Sequence, residues 1–342
     1  MKKINCAIIG FGNVGKIQAD FLLKSKNTNL VYIFEKDKKI IKKFESKYNY
    51  VKWVFSEDEI YRDKKIDLVL ICSYDNFHFN QIIKAIKNKK NIFCEKPICQ
   101  NLIQLKKIRS LLLKNRQLKF SSNLILRTTK ELKFLKKIIQ NKKIGNIYYS
   151  EADYNYGRLD KITKGWRGSI PFYSVMSGGG IHVIDIICNF LKEYPSKVFA
   201  SANKIVTSKS RFKYQDFVIS ILKFKSQKIS KVTANFGSVT SHHHYFKFYG
   251  TKGTFLKEYN QSNLIFNRDN IKKKSKKLFF KKNYNKSDIL SNYIKILIKK
   301  LDVQKIPNYI DIIKTMLVCF AIEKSYKTNK EIKINYNNFT LK

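Results

Sequence analysis

The sequence predicts an α/β protein that begins with a doubly wound parallel sheet. In the first hundred residues, short strands that are apolar throughout alternate with amphipathic helices, the pattern of a parallel sheet covered on both faces. A glycine-rich turn joins the first strand to the first helix. The chain has 342 residues, more than one hydrophobic core usually supports, so we expect two domains.

The predicted elements follow in a regular order. The apolar run in INCAIIGFG is the first strand, and VGKIQADFLLKS repeats apolar side chains at helical spacing. A second strand, LVYIFE, ends on Glu35, and an amphipathic stretch covers 38–48. A strand in IDLVLICS, a helix in FNQIIKAIKNK and a strand in NIFCEKP follow. This alternation is typical of βαβ units.

Composition excludes several classes of protein. The formal net charge is +44, but only eight of the 69 basic residues are arginine, whose planar fork nucleic-acid readers favour. We therefore expect no nucleic-acid partner, although the charge keeps that alternative open. No apolar run approaches the roughly 18 residues of a membrane span, and the N-terminal run is too short for a secretory signal, so we expect a cytoplasmic protein without a membrane partner. The six cysteines show no metal-ligand spacing, so we expect no metal.

The turn GFGNVG has the spacing of a dinucleotide-binding loop. Its glycines permit a tight turn and close approach of the backbone to a pyrophosphate at the helix N-terminus. Glu35 follows the last glycine by 20 residues, where an acid accepts hydrogen bonds from a ribose. The glutamate favours NAD over NADP, although nearby lysines leave NADP binding open. A glycine turn with a purely structural role is the alternative to a cofactor site. The predicted cofactor-binding residues here are Gly10, Phe11, Gly12, Asn13, Val14, Gly15 and Glu35.

Two further stretches lie at the carboxyl ends of later strands, where ligands of open α/β sheets bind. CSYDNFH follows one strand and CEKP the next. The lysine of CEKP can donate a hydrogen bond to a substrate oxygen while a hydride is transferred. A surface Glu-Lys pair is the alternative. We add to the cofactor-binding candidates Ser73, Tyr74, Asn76, His78, Glu95 and Lys96.

Four stretches together carry a family resemblance. GFGNVG, CSYDNFH (in place of a more usual Thr-Pro-x-x-x-His), EKP and GGGIHVIDI occur in the order and spacing of the Gfo/Idh/MocA oxidoreductases, the glucose-fructose oxidoreductase and inositol dehydrogenase group. The chain resembles this family over nearly its whole length. YNYGRLDKITKGWRG and PFYSVMSGGG resemble a branch found with surface-saccharide genes.

The resemblance implies a Rossmann domain over 1–121 and an α+β domain over 122–342 with an open, mostly antiparallel sheet. The last helix, about 309–328, is a candidate to pack back on the first domain. The implied activity is NAD(P)-dependent hydride transfer at a hydroxyl or keto carbon of a sugar, cyclitol or nucleotide sugar. A homodimer or homotetramer would form through the second sheet. A catalytically silent relative and an NAD-dependent glycosidase are the alternatives.

By the same resemblance, Lys96 and His182 are catalytic, and the histidine takes the alcohol proton. Many relatives carry an aspartate four residues before the histidine, where this chain has Gly178. Helical spacing places Asp185 to orient the His182 ring, and Tyr173 is a candidate proton donor in place of the aspartate. A structural His-Asp pair is the alternative. We expect the glycines of SGGG to admit the nicotinamide and substrate close to the backbone.

Substrate contacts are expected from scarce arginines in polar, glycine-punctuated segments, since a guanidinium binds carboxylate or phosphate bidentately. Loop salt bridges are the alternative. The candidates are Arg127, Arg158, Trp166 and Arg167, with Tyr173 and His182. In SHHHYF, strand alternation sends His242 and His244 to one face and His243 to the other, which leaves too few ligands for zinc.

Overall fold

The computed structural model describes residues 3–259, 261–266, 268, 275–280, 285–302 and 306–337. The chain divides into two compact units, Met1–Ile125 with Asn285–Ile312, and Leu126–Tyr284 with Ile313–Lys342. The first division lies four residues beyond the position expected from the sequence, and residues 285–312 return to the first unit.

The first unit contains a six-stranded parallel sheet in the order β3-β2-β1-β4-β5-β6. This order is that of a doubly wound Rossmann sheet, which confirms the predicted fold class. Its strands are β1 Ile4–Ile9, β2 Thr28–Phe34, β3 Lys52–Val54, β4 Leu68–Ile71, β5 Asn91–Cys94 and β6 Phe120–Ser122. Its helices are α1 Asn13–Lys24, α2 Lys38–Phe44, α3 Glu57–Arg62, α4 Asp75–Lys87, α5 Leu102–Lys114 and α9 Asp288–Leu297.

Apolar side chains from both parts of the first unit fill one core. Phe11 lies in it beside strand residues of β1 and β4. Helix α9 adds Ile289, Leu290 and Tyr293, all buried, to the same cluster. The strand β3 and the helix α3 were not predicted, since both are short and carry many charges.

The second unit contains a nine-stranded mixed sheet in the order β14-β13-β12-β11-β7-β10-β9-β8-β15. All its neighbouring strands are antiparallel except β10 and β7, as the resemblance implied. Its strands are β7 Ile147–Asn155, β8 Lys197–Asn203, β9 Phe217–Lys223, β10 Ile229–Asn235, β11 His243–Gly250, β12 Gly253–Lys257, β13 Ser262–Ile265, β14 Ser275–Leu278 and β15 Ile332–Lys333.

Helices α6 Lys130–Gln140, α7 Asp160–Thr163 and α8 Ile181–Leu191 belong to the second unit, and α10 Tyr309–Thr328 has its first four residues in the first. A π-helical turn, Met176–Gly180, runs directly into α8. Of the residues in α8 only Asn189 is not buried. His182 and Asp185 are therefore buried on this helix together with its apolar side chains.

No helix in the described part of the chain is long and apolar enough to cross a membrane.

Candidate active site

The turn between β1 and α1 has the form of an anion cradle. Gly10 has a φ of +92°, and a Cβ there would come within 2.7 Å of the Ser73 backbone, so the turn packs directly on the segment after β4. A Cβ on Gly12 would meet nothing within 4 Å. The first turn of α1 has no side-chain cap and no acidic residue. These features fit a pyrophosphate, since unpaired N–H groups at a helix N-terminus attract an anion.

Glu35 lies just past the end of β2 and contacts this turn. Its Oε2 accepts a hydrogen bond of 2.7 Å from the Phe11 N–H. Its Oε1 accepts from the N–H groups of Lys36 and Asp37, at 2.8 and 3.1 Å. The backbone thus fixes the carboxylate beside the glycines. Oε2, which accepts only one hydrogen bond, has a further lone pair with which to accept from a ribose hydroxyl.

His78 joins the two segments that follow β4 and β5. Its Nδ1 lies 2.7 Å from the Pro97 carbonyl oxygen, and its Nε2 lies 3.1 Å from that of Ser73. The ring is fully buried. His78 therefore links the backbone at Ser73 to that at Pro97. The predicted contact of His78 with the cofactor stays a prediction.

Glu95 and Lys96 follow β5 directly. The Glu95 carboxylate accepts a hydrogen bond of 2.7 Å from Nδ2 of Asn123, and burial raises the pKa of this carboxyl. Asn123 was missed in the sequence, although its place at the carboxyl end of β6 is the same signal that singled out Glu95. The first unit thus brings the predicted cofactor residues 10–15, 35, 73–78 and 95–96 to the carboxyl ends of its strands.

His182 lies in the first turn of α8 and is 7% exposed. Its ring stacks on Tyr154, with ring centroids 6.1 Å apart. The centroid of the Tyr154 ring in turn lies 5.1 Å from that of His242, which directly precedes β11, and 5.1 Å from that of His244 in β11, so both histidine rings lie near the same tyrosine. The described residues contain no group of three or more His, Cys, Asp or Glu side chains placed to hold a metal ion.

Tyr173 stands beside Gly178. An ideal Cβ at Gly178 would lie 2.3 Å from the Tyr173 hydroxyl oxygen, so the hydroxyl occupies the space of the missing side chain. Gly178 precedes His182 by one helical turn. The space at Gly179 is likewise filled by the rings of Tyr154 and Phe236. The glycines of SGGG therefore admit side chains of the protein itself close to the backbone.

Asp185 and Arg127 form a buried bidentate ion pair. Nε and Nη2 of Arg127 donate to the two carboxylate oxygens at 2.7 and 2.6 Å. The side chains are 1% and 9% exposed, respectively. Two predicted site residues thus bind each other: the carboxylate expected to orient His182 holds the guanidinium expected to meet substrate. Sequence spacing does not reveal this pair, because the residues are 58 positions apart.

Residues 158–173 place their aromatic and cationic side chains together. The Arg167 guanidinium lies over the Trp166 ring at 4.4 Å, and its Nε donates to the Tyr173 hydroxyl at 3.2 Å. Arg158 lies over the Tyr156 ring at 5.7 Å. Arg211, which the sequence analysis missed, donates to the carbonyl oxygens of Thr163, Lys164 and Gly165 and so anchors the loop.

The chain is similar to known proteins over both units. The model of the "Oxidoreductase family, NAD-binding Rossmann fold" matches residues 4–123, and that of the "GFO/IDH/MocA C-terminal domain" matches residues 132–256. A myo-inositol 2-dehydrogenase of Thermotoga maritima is 23% identical over 96% of this chain and 97% of its own length. The uncharacterised oxidoreductase YhhX of Escherichia coli is 28% identical over 54% of this chain, which spans about half, 52%, of that relative.

Among solved structures, a levoglucosan dehydrogenase in complex with NADH and L-sorbose superposes with a TM-score of 0.85 at 17% identity, over 97% of this chain and 99% of the other. This likeness shows the fold. The two family matches together cover well over half of the sequence. The chain therefore belongs to the Gfo/Idh/MocA family, and it is an NAD(P)-dependent oxidoreductase with an NAD-binding Rossmann domain.

Proposed function

We propose that the protein transfers a hydride between a nicotinamide and a hydroxyl or keto carbon of a sugar, cyclitol or nucleotide sugar. The observation that carries the proposal is the position of the Tyr173 hydroxyl, which fills the space beside Gly178, one turn before His182. A group able to transfer a proton thus stands where relatives with an aspartate at this position carry a carboxylate. This favours a working enzyme over a silent relative.

The chain fits the dinucleotide cofactor through three features: open space at Gly12, an uncapped N-terminus of α1, and an oriented Glu35. When bound, NAD accepts or donates the hydride. Glu35 would repel a phosphate on the ribose, so we propose NAD as the preferred form, with NADP as the alternative. Asn76 offers a further contact, since its buried Oδ1 has no hydrogen-bond partner among the described residues.

We assign the chemical roles as follows. Lys96, at the carboxyl end of β5, donates to the oxygen of the reacting carbon and stabilises the charge that develops there. His182 takes the alcohol proton as a general base. The Tyr173 hydroxyl, which receives a hydrogen bond from Arg167, supplies or relays a proton beside the histidine.

Asp185 acts as a positioning residue in this proposal. Its carboxylate binds Arg127 through both oxygens, so the predicted hydrogen bond to the His182 ring would have to share one of them. The ion pair joins α8 to the short 3₁₀ turn at Ile125–Thr128. Arg127 therefore stabilises the helix that carries the base, and its predicted contact with substrate becomes the less favoured role.

Residues 158–167 are the proposed substrate loop. Arg167 and Trp166 pack against Tyr173, so a substrate contact at the loop would also move the hydroxyl. A role in surface-polysaccharide biosynthesis and a cytoplasmic location stay predictions that rest on the sequence.

The proposal is tested in two steps. Titration with NADH, followed by nicotinamide fluorescence, should give saturable binding below millimolar concentration. A panel of inositols, uronates, free sugars and nucleotide sugars is then screened for NADH formation. With a responsive substrate, Lys96→Met and His182→Ala should each lower kcat at least 100-fold without loss of NADH binding. Unchanged turnover in both variants would refute the catalytic assignment.

The same panel separates the alternatives. A silent relative would bind NADH and oxidise nothing. A glycosidase-type member would release a free sugar from a glycoside in the presence of catalytic NAD, without net NADH formation. Chromatography of the products therefore distinguishes it from a dehydrogenase.

A further inference from the structure

The second unit contains a cavity of about 460 Å³ at the N-terminus of α6, distinct from the residues assigned to catalysis. The first turn of α6 forms one wall, and strands β11 to β13 form another. Its volume lies in the range of small-molecule sites. The side chains that the argument uses are Lys130, Glu131, Arg158, His244 and Lys257.

The lining of this cavity is cationic. Among the described residues, its lining includes three cations, Lys130, Arg158 and Lys257, and one carboxylate, that of Glu131. Glu131 is already engaged, because Lys257 Nζ and Ser262 Oγ both donate to it. Among the described residues, no carboxylate forms an ion pair with Lys130 or Arg158. Two cations therefore remain to attract an anion.

A second, independent observation points to a ligand at the same place. The Nε2 atom of His244 is buried and has no hydrogen-bond partner among the described residues. Burial, with His242 and Lys257 nearby, holds the pKa of His244 well below its usual range, so the ring is neutral at pH 7. A neutral imidazole with a proton on Nε2 can donate to an anionic oxygen. A buried polar atom without a partner is costly, and a ligand would satisfy it.

The cavity lies one aromatic ring away from the proposed base. The centroid of the Tyr154 ring lies 6.1 Å from that of His182 and 5.1 Å from those of His242 and His244. All of these residues belong to the second unit. A substrate that reacts at His182 therefore needs to extend by about one sugar ring or phosphate to reach the cavity.

We propose that this cavity binds an anionic group, a phosphate or a carboxylate, that the substrate carries away from its reacting carbon. The proposal rests on the proposed function and narrows its substrate class to anionic sugar derivatives. Arg158 and Lys130 bind the anion, and His244 donates a hydrogen bond to it.

Binding is tested without turnover. Pyrophosphate is titrated by calorimetry into the protein saturated with NADH, so that the turn at Gly10–Gly15 does not compete. We expect saturable binding that weakens at least tenfold in Arg158→Gln and in His244→Phe, which keeps the ring but removes the donor. Lys223→Gln is the matched control, since this lysine of the second unit is 52% exposed, pairs with Glu331 and lies outside the cavity. Absence of saturable binding, or equal binding in Arg158→Gln, would overturn the proposal.

Kinetics then identify the source of the anion. A neutral sugar is compared with its uronate, its phosphate ester and its nucleoside diphosphate derivative. We expect one anionic form to have a KM at least tenfold below that of the neutral sugar, and Arg158→Gln to remove this advantage with little change in kcat. Equal KM values for neutral and anionic forms would refute the cavity assignment. Failure of the proposed function is a different result: no substrate forms NADH, whereas pyrophosphate binding stays dependent on Arg158.

Discussion

At the scale of single residues, the central feature is the contact between the Tyr173 hydroxyl and Gly178. The glycine has no side chain, and the tyrosine hydroxyl fills the space that a Cβ would take. Sequence reasoning identified both positions but not their contact, because the family pattern concerns neighbours along the chain and Tyr173 reaches the helix through space. The same limit applies to Asp185, whose partner Arg127 lies far away in sequence.

The Tyr173→Phe variant removes the hydroxyl and leaves the ring in place. If the hydroxyl transfers or relays a proton, kcat falls about 100-fold, the lower range of general acid-base effects, whereas the Kd for NADH stays unchanged. Steady-state kinetics and NADH fluorescence give both numbers. Tyr214→Phe is the matched control, since that hydroxyl donates to a carbonyl of the same region, Ile170. An unchanged kcat in Tyr173→Phe contradicts the assigned role.

The Gly178→Ala variant places a methyl group 2.3 Å from the tyrosine hydroxyl and should destabilise the fold by about 1–3 kcal/mol, as overpacking does. In a Tyr173→Ala background the cost should be smaller, because the colliding ring is gone. Thermal unfolding of the four proteins of this cycle measures the coupling. If Gly178→Ala lowered the stability equally in both backgrounds, the contact between Gly178 and Tyr173 would not be close.

At the scale of elements, the first unit was largely predictable. Strands that are apolar throughout, such as Leu68–Ile71, and helices with apolar side chains at helical spacing, such as Asp75–Lys87, lie where the pattern places them. The all-round burial of Ile181–Leu191 was not predictable, since a buried His and Asp read as polar surface in a sequence. The cavity beside α6 was also missed, because its residues come from five separate segments.

The turn between β1 and α1 gives a prediction that separates binding from folding. Gly12→Ala adds a methyl group where nothing lies within 4 Å, so the Tm without cofactor should not fall. The Kd for NADH should rise at least tenfold, because the methyl group occupies the space of the pyrophosphate.

Gly15→Ala is the contrasting variant. Its Cβ would lie 2.1 Å from the Gly10 carbonyl oxygen, so this protein should unfold at a lower temperature even without NADH. Thermal unfolding and fluorescence titration of both variants provide the check. A destabilised Gly12→Ala protein that still binds NADH normally would exclude the cradle.

At the scale of the whole molecule, stability and assembly depend on groups of the second unit. Glu323 of α10 is buried and receives a hydrogen bond of 3.1 Å from the Ser177 hydroxyl. On the sheet of the second unit, alternate residues point to the face opposite α8. This face carries apolar side chains that are partly exposed, among them Phe199, Ile221 and Ile229.

The Glu323 carboxyl makes stability dependent on pH. Burial raises its pKa, so the folded state holds this proton at a pH where the unfolded chain has lost it. Stability from this group is therefore full below the usual glutamate range and falls as the pH rises through the raised value. Glu323→Gln should remove that loss, so the Tm of the variant relative to the parent should increase from pH 4 to pH 8. A constant difference would contradict the assignment.

The apolar face supports the proposed homodimer or homotetramer. Phe199 and Ile221 are direct cross-strand neighbours. Replacing them with glutamate and lysine therefore places two charges of opposite sign within the face. The double variant Phe199→Glu, Ile221→Lys should dissociate the assembly to monomers, which sedimentation velocity measures. Ile205→Glu is the control, because Ile205 is 72% exposed outside the strands. A monomeric parent protein, or an assembly that survives the double variant, would refute this interface.

The return of residues 285–312 to the first unit has a consequence for biosynthesis. When the nascent chain has emerged from the ribosome as far as Ile125, all six strands of the Rossmann sheet are outside it. At that point Ile289, Leu290 and Tyr293 of the same core have not yet been translated. The second unit is, in topological terms, a long insertion within the first. The N-terminal unit therefore completes its core only after most of the chain is synthesised, and its apolar surface needs protection from aggregation until then.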